Sequence, residues 1–243
     1  MTSHSRECAR CGAALEAQCP AEPRPRAWEY HRCLILLLIP ALTTRLAAQD
    51  PFAVLARARA AYDTIHTLRA DFIQIVDNPM VGAPDTSRGV LYQEPPSRFT
   101  MNFTHPKGDR ILSDGAYLWV YTPSTTPGQV IRTPLPSNGG TGPNLIGQFV
   151  EHSEARYHAR FLRTDSTAAG VADVIHLEPI KTDQPYTAAD LTIARSGLVT
   201  RLDIMETSGQ KRVLIFSKHQ LNVGVSGRTF RFTPGAGVRV VDQ

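Results

Sequence analysis

From about residue 68 to the C-terminus, the chain is a succession of short segments with a two-residue hydrophobic period, separated by turn residues. In residues 98–104, for example, Phe99, Met101 and Phe103 alternate with polar side chains, as in a strand with one buried face. About nine to eleven such segments follow one another without long helices between them. Parallel strands need long, usually helical crossovers, so this order predicts one continuous antiparallel sheet. We expect a mainly β (α+β) fold, an incomplete, strongly curved antiparallel β-barrel.

Two segments depart from the strand pattern. Residues 51–68 place apolar side chains at three- and four-residue steps, which predicts an amphipathic helix with Asp50 as its N-cap and Pro51 in its first turn. Residues 134–152 begin as a loop rich in glycine, proline and asparagine and continue with apolar residues on one helical face. We expect both helices to cover the curved sheet and to act as a lid over its concave, hydrophobic face. The predicted lid residues are Leu145, Ile146 and Phe149.

The segment SDGAYLWVYTP, residues 113–123, has two apolar faces. An antiparallel sheet commonly leaves one face in water, so this strand must be covered on both sides. We predict that Trp119 and Tyr121 face the cavity and that Leu118 and Val120 pack outside it.

Large apolar side chains recur at alternate positions of the predicted strands. Two interpretations remain open: they fill a core between sheet and helices, or they form an adaptable wall for a hydrophobic ligand. The candidates for the inner face, and so for binding a hydrophobic ligand, are Phe99, Met101, Phe103, Ile111, Trp119, Tyr121, Ile193, Ile204 and Ile215.

The N-terminal region differs in composition from the rest. Residues 33–42 form an apolar run that is too short to span a bilayer, preceded by basic residues and followed by small ones. This is the pattern of a secretory signal peptide, so residues 1–49 are predicted to be a leader and residues 50–243 a single exported domain. All four cysteines lie in that leader, where a zinc site at Cys8, Cys11 and Cys19 is the alternative interpretation of their spacing.

Composition and motifs argue against catalysis and nucleic-acid binding. Removing residues 1–48 leaves a net charge of about +2, which weakens the case for a nucleic-acid partner. The sequence has no G-x-S-x-G or H-E-x-x-H motif and no glycine-rich phosphate loop, so we predict no enzymatic activity and no cofactor, and consider a hydrolase only as a distant alternative.

His152, Glu154 and His158 do not share one face of a helix or strand, so a polar loop is favoured over a metal site. Asp114 is interpreted as a turn residue beside Gly115.

The order of several sequence blocks resembles that of the periplasmic outer-membrane lipoprotein carrier family, LolA. The resemblance extends over about residues 51–242, and its most specific parts are S-D-G-x-x-L-W-x-Y-x-P and the F-x-F-T-P ending. The blocks are TLRADFIQ (67–74), GVLYQEPPSRFTMNFTHP (89–106), ILSDGAYLWVYTP (111–123), SGLVTRLDIMETSGQ (196–210) and TFRFTPGAGVRVVD (229–242).

This resemblance implies a half-barrel with a lid at residues 143–149, which binds lipoprotein acyl chains and carries them through the periplasm without cofactor or reaction. It implies delivery from an inner-membrane ABC-type transporter to an outer-membrane receptor, by a protein expected to be a monomer. A sensing module on the same fold, which binds lipid or protein without delivering cargo, is the alternative. Members of the family often carry Arg-Pro before the strand at residues 98–104, the arginine being proposed to bond the closed lid. This chain has Pro95-Pro96 there, and Arg98 is expected on the face opposite Phe99.

Overall fold

Twelve strands form one sheet in the computed structural model of the protein, which describes residues 49–80, 82–135, 144–167 and 170–243. The predicted leader through residue 48, with its apolar run and its cysteines, lies outside these ranges, as does Pro143 at the start of the predicted lid. The strands are β1 Leu68–Asp77, β2 Asp85–Glu94, β3 Arg98–His105, β4 Arg110–Asp114, β5 Tyr117–Tyr121, β6 Gln129–Pro134, β7 Tyr157–Thr167, β8 Gly170–Pro179, β9 Tyr186–Ala194, β10 Val199–Glu206, β11 Lys211–Leu221 and β12 Arg239–Asp242.

The strand order confirms the predicted fold class, a mainly β protein built on a curled, open sheet. The order is β12-β6-β5-β4-β3-β2-β1-β11-β10-β9-β8-β7, so β1 pairs with β11 and joins the two halves of the chain. Nine of the eleven neighbouring pairs are antiparallel and join consecutive strands, as expected from short connections. The two exceptions are β1–β11, which is antiparallel but not a hairpin, and β12, which lies parallel to β6 at one edge of the sheet.

One predicted strand was wrong and one strand was missed. The alternation of Phe230 and Phe232 predicts a strand over residues 229–232, but Thr229 and Phe230 lie in the 3₁₀ turn Gly227–Phe230, where the Ser226 hydroxyl accepts a hydrogen bond from the Arg228 N–H and so stabilises the start of the turn. Strand β7 was not predicted, although Tyr157, Ala159 and Phe161 alternate with polar residues; the alternation ends at Leu162, and the rest of the strand is polar. It forms through its long antiparallel pairing with β8, a contact that sequence periodicity does not report.

Three helices cover one face of the sheet. Helix α1, Pro51–Asp63, begins as predicted, with the Asp50 carboxylate accepting a hydrogen bond from the Phe52 N–H at 2.9 Å. Helices α2, Gly147–Val150, and α3, Ser153–Arg156, have only four residues each. The backbone becomes extended at Glu151 and left-handed at His152, which separates the two short helices. No helix in the described ranges has the length and apolar character needed to cross a bilayer.

The two faces of the sheet carry separate apolar clusters. We call the face under the helices the inner face; its cluster joins Leu55 of α1 and Phe149 of α2 to side chains from most strands. The outer face carries a smaller cluster around Leu112, Trp119 and Val130, which the C-terminal segment covers. The two faces therefore have separate covers: helices from the start and the middle of the domain on the inner face, and the last residues of the chain on the outer face.

Candidate ligand-binding face

Alternation along β3 places Phe99, Met101 and Phe103 together on the inner face. All three are buried and belong to the inner cluster. The neighbouring strands continue this surface, because Met101 lies opposite Ile111 and the Phe103 ring meets Phe72 edge-on with centroids 5.1 Å apart. Ile193 is buried in the same cluster, and Ile204 packs against it from β10. Six of the nine predicted residues thus share one face; their contact with a ligand stays a prediction.

The predicted orientation of β5 was wrong. Leu112 pairs with Trp119 across β4 and β5, so Trp119 lies on the outer face, as does Tyr121, whereas Leu118 packs against the inner cluster. The Trp119 indole N–H donates to the Asp114 carboxylate at 2.7 Å, and its ring stacks on Phe232 at 5.3 Å. Alternation separates the two sets of side chains, but the cover supplied by Phe232 decides which set faces out.

Ile215 also lies on the outer face, contrary to prediction. It pairs with Ile73 and Arg201, while its neighbours Leu214 and Phe216 belong to the inner cluster. Because β11 contains four consecutive apolar residues, 213–216, its sequence is consistent with Ile215 on either face of the sheet. The pairing with β1 and β10 selects one of them.

The turn between β4 and β5 does what its sequence predicts and also orients the tryptophan. The Asp114 carboxylate accepts hydrogen bonds from the backbone N–H groups of Ala116 and Tyr117, each at 2.8 Å. Gly115 has a φ of +98°, a conformation that favours glycine. Asp114 is therefore a structural residue that fixes the turn and the Trp119 ring together.

The lid segment, which we define as residues 144–151, lies against the inner cluster as predicted. Ile146 and Phe149 are each 1% exposed, and Leu145 packs on the cluster more loosely. Under them lie two tyrosines that sequence reasoning missed. The Phe149 ring lies 6.2 Å from that of Tyr157 and 5.4 Å from that of Tyr186.

The two tyrosine hydroxyl groups form a hydrogen-bonded pair beneath the lid segment. Their hydroxyl oxygens are 2.7 Å apart, and the Tyr157 hydroxyl lies 2.9 Å from the Gln148 carbonyl oxygen, which accepts a hydrogen bond from it. Burial raises the pKa of Tyr157, and its hydrogen bond to Tyr186 acts in the same direction. The Tyr157 hydroxyl therefore stays protonated at neutral pH and serves as a neutral hydrogen-bonding group.

A buried pair of amide side chains joins the lid segment to the sheet. The Gln93 Nε2 group donates to Asn144 Oδ1 at 2.6 Å, and both side chains are at most 5% exposed. The same Asn144 oxygen accepts from the Gly147 N–H at 2.8 Å, and Asn144 Nδ2 donates to Glu151 at 2.9 Å. No local sequence pattern marks this pair, since the two residues lie 51 positions apart. Arg98 points elsewhere, pairing with Glu94 and lying over the Phe230 ring.

Helix α1 is attached to the sheet by charge. The Arg57 guanidinium lies 2.7 Å from the carboxylate of Asp173, which is fully buried. Arg195 lies 3.3 Å from the same carboxylate oxygen as Arg57, and the Thr164 hydroxyl donates a hydrogen bond to the other oxygen at 2.8 Å. Burial alone would raise the pKa of Asp173, but the hydrogen bonds from Arg57 and Thr164 outweigh it and hold the pKa below its usual range.

Side chains fill the inner face in this structure. Phe99, Met101 and Phe103 are 4%, 4% and 9% exposed and lie among the other side chains of the inner cluster. The inner face is therefore closed at β3, and a ligand that binds there would have to displace part of its cover. Of the two interpretations drawn from the sequence, the packed core describes this state.

The side chains of His152, Glu154 and His158 do not form a metal site in the structure. His152 and Glu154 are exposed around α3, and His158 is exposed on β7. Within the part of the chain that the structure describes, no three histidine, cysteine or acidic side chains gather closely enough to hold a metal ion.

Comparison with known proteins points to one family. The sequence model of the family described as "Outer membrane lipoprotein carrier protein LolA" matches residues 63–233. A protein named outer-membrane lipoprotein carrier protein from Albidiferax ferrireducens is 31% identical over 193 residues, covering 74% of this chain and 86% of that protein. One of the same name from Chromobacterium violaceum is 26% identical over 206 residues, covering 85% and 96%.

Among solved structures, an uncharacterized conserved protein from Thermus thermophilus superimposes with a TM-score of 0.51. The match covers 79% of this chain and 98% of that protein, at 14% sequence identity. At this identity the likeness concerns the fold alone, and it agrees with the curled sheet described above.

Proposed function

The chain belongs to the LolA family of outer-membrane lipoprotein carrier proteins, and we propose that it binds lipoprotein acyl chains on its inner face and carries them across the periplasm. The family match favours a carrier without catalytic activity. The proposal includes export to the periplasm by the predicted leader, loading by an inner-membrane ABC-type transporter and delivery to an outer-membrane receptor. It includes no cofactor.

The observation that carries the proposal is an apolar face closed by a separable cover. Phe99, Met101 and Phe103 belong to the same apolar cluster as Ile146 and Phe149 of the lid segment, whose helix α2 is only four residues long. A helix of that length has little stability of its own and depends on the contacts it makes. Displacing it would open the inner cluster from the side of Tyr157 and Tyr186 without breaking the sheet.

The size of the hydrophobic effect suits such a carrier. A C16 acyl chain has about 15 methylene groups, each worth about 0.8 kcal/mol on removal from water, or roughly 12 kcal/mol before ordering costs. Part of this free energy would be used to move the lid and to replace the contacts that Ile146 and Phe149 make in the closed state. The remaining affinity is then moderate, which allows the cargo to leave.

Site-specific photo-crosslinking tests the proposed face. A photoreactive phenylalanine analogue is placed at Phe103, on the inner face, and in a second variant at Trp119, on the outer face. Both variants are incubated with a triacylated lipoprotein in inner-membrane vesicles that contain its transporter. We expect a lipoprotein adduct from position 103 and none from position 119. Equal adducts from both positions, or an adduct from position 119 alone, would contradict the assignment.

A release assay separates a carrier from a sensing module on the same fold. Inner-membrane vesicles loaded with labelled lipoprotein are energised with ATP, and the soluble fraction is collected with and without the protein. A carrier brings labelled lipoprotein into the soluble fraction as a complex. A sensing module binds without increasing release, and that result would overturn the carrier proposal while leaving inner-face binding in place.

A further inference from the structure

Tyr157 and Tyr186 form their hydrogen-bonded pair at the place where displacement of α2 would open the inner face. They are the first residues of β7 and β9, so the pair lies at one end of the sheet. Both side chains are buried members of the inner cluster, and both rings lie beside Phe149 of α2. The pair is therefore a polar group at the border of the apolar inner face, under the lid segment.

The two hydroxyl groups form a hydrogen-bonded chain with a defined direction. The Tyr157 hydroxyl donates to the Gln148 carbonyl oxygen at 2.9 Å, and the hydroxyl oxygens of the two tyrosines are 2.7 Å apart. Because a tyrosine hydroxyl has a single proton, Tyr157 has none left for its neighbour, and Tyr186 must be the donor within the pair. The chain therefore ends in one O–H donor, which points at the lid segment.

Displacement of the lid segment would affect the two ends of the Tyr157–Gln148 hydrogen bond differently. Gln148 is half-buried already, and its carbonyl oxygen could accept from water once α2 has moved into solvent. The Tyr157 hydroxyl stays on the sheet, where an acyl chain that replaces Phe149 would separate it from water. A buried donor without an acceptor carries the full cost of its lost hydration. A ligand that brings an acceptor to this position is therefore favoured over one that is only a hydrocarbon.

The surroundings of the pair favour a neutral acceptor. Burial raises the pKa of Tyr157, so its hydroxyl is a neutral donor at neutral pH. Apolar members of the same cluster, such as Phe149 and Leu177, disfavour an ionised ligand. The Arg156 guanidinium lies over the Tyr157 ring, 5.6 Å from its centroid, so a carboxylate is the charged alternative that a test must separate. The neutral acceptor nearest to an acyl chain is the ester or amide carbonyl through which the chain is attached.

We propose that the Tyr157 hydroxyl binds the carbonyl oxygen of an acyl ester or amide after the lid segment has moved, and that Tyr186 orients this donor. The carbonyl of the ligand then takes the place that the Gln148 carbonyl occupies in the closed state. The inference rests on the proposed function, because it requires that acyl chains enter the inner face. It adds a polar subsite, which distinguishes chains attached through a carbonyl from other hydrocarbons of the same length.

Two glycerol lipids that differ in one carbonyl group test this subsite. Decanoyl glycerol has an ester carbonyl, whereas decyl glycerol ether has the same glycerol group and a chain of the same length without it. Each lipid is titrated calorimetrically into the full protein, free of cargo. We expect the ester to bind about tenfold more tightly than the ether, the scale of one buried hydrogen bond. This preference is measured on the wild type and needs no variant.

Two tyrosine variants assign the preference to one hydroxyl group. Tyr157→Phe keeps the buried ring but removes the donor, and it should abolish the preference for the ester. The variant also loses the bond to Gln148, but this loss acts on both lipids alike and cancels in the ratio of their affinities. Tyr121→Phe removes a hydroxyl group from the outer face and should leave both affinities unchanged.

The infrared band of an isotope-labelled ester carbonyl gives a readout that a purely structural role of Tyr157 would not move. A hydrogen bond weakens the C=O bond, so the band should lie at lower frequency in the wild-type complex than in the Tyr157→Phe complex. Equal affinities of the two lipids for the wild type, or the same band in both complexes, would overturn this inference and leave acyl-chain binding in place. Binding of decanoate in preference to the ester, if it depends on Tyr157, would overturn it by assigning the hydroxyl to a carboxylate. Absence of binding by either lipid would overturn the proposed function, and this inference with it.

Discussion

Helix α1 and the lid segment cover the same face of the sheet, but they are attached to it in different ways. Helix α1 has 13 residues, buries Leu55 and Ala58 completely and places Arg57 against the buried carboxylate of Asp173. The lid segment contributes a four-residue helix and a neutral pair of amides, one of which keeps an oxygen without a partner among the described residues. From this difference we predict that α1 stays in place when cargo binds and that the lid segment moves.

A substitution at Gly197 should produce the largest loss of stability, because this residue lies against helix α1. It lies in the turn between β9 and β10 with a φ of +87°, and a Cβ there would lie 2.7 Å from Ala61 Cβ and 2.8 Å from the Arg57 carbonyl oxygen. Gly197→Ala should reduce the free energy of unfolding by about 3 kcal/mol, through backbone strain and overpacking together. Urea denaturation measures this loss.

Gly209 supplies the matched control for that variant. It occupies the same place in the next turn, with a φ of +82°, but no atom among the described residues lies within 4 Å of the position that a Cβ would take there. Gly209→Ala should therefore cost only the backbone strain, about 1 to 2 kcal/mol. Equal losses in the two variants would show that contact with α1 contributes nothing.

Asp173 tests the charged part of the same attachment. Asp173→Asn removes the charge that faces Arg57 at a fully buried position, and we expect a loss of about 2 kcal/mol. This is below the usual range for breaking a buried pair, because the Arg57 and Arg195 side chains are 31% and 54% exposed. A variant as stable as the wild type would mean that the ion pair does not hold α1.

The pH dependence of stability gives an independent measure of this group. The folded-state pKa of Asp173 lies below its unfolded value, so its contribution is present above that unfolded value, about 3.9, and is lost as the pH falls through the folded pKa. The stability difference between wild type and Asp173→Asn should therefore shrink in acid. Denaturation of both proteins at neutral pH and at points below the unfolded pKa checks this; a constant difference would contradict it.

Substitution of Asn144 should have the smallest effect on global stability, because its consequences are confined to the lid segment. Asn144→Ala removes the partner of Gln93 and the acceptor for the Gly147 N–H, which should destabilise the closed lid by about 1 to 2 kcal/mol. Hydrogen exchange at residues 147–150 should speed up roughly 5- to 30-fold, while α1 keeps its rates. Gln148→Ala, a change within the lid that leaves the amide pair intact, is the control and should have little effect. Faster exchange in α1 as well would show that the two covers open together.

Local sequence rules predicted the features that depend on near neighbours. The N-cap at Asp50, the turn at Asp114-Gly115 and the inner face of β3 follow from one residue and those within a few positions of it. The same rules could not decide which face of the sheet Trp119 occupies, because both faces of β5 are apolar. Its orientation was settled by Phe232, which lies far along the chain and covers the outer face.

The attachments of the two covers could not be predicted for the same reason. Arg57 and Asp173 lie 116 positions apart, and Gln93 and Asn144 lie 51 apart. Each pair meets only after the sheet has curled and brought distant strands under the helices. No periodicity in a single segment reports such a contact, so the difference between the fixed and the movable cover emerges only from the fold.

Hydrogen exchange of the protein alone and in complex with a lipoprotein tests the central claim most directly. If the cargo displaces the lid segment and occupies the inner face, exchange should become faster at residues 147–150 and unchanged or slower in α1 and in β3. Unchanged exchange at 147–150 in the complex, or equal acceleration in α1 and the lid segment, would contradict the account of one fixed and one movable cover.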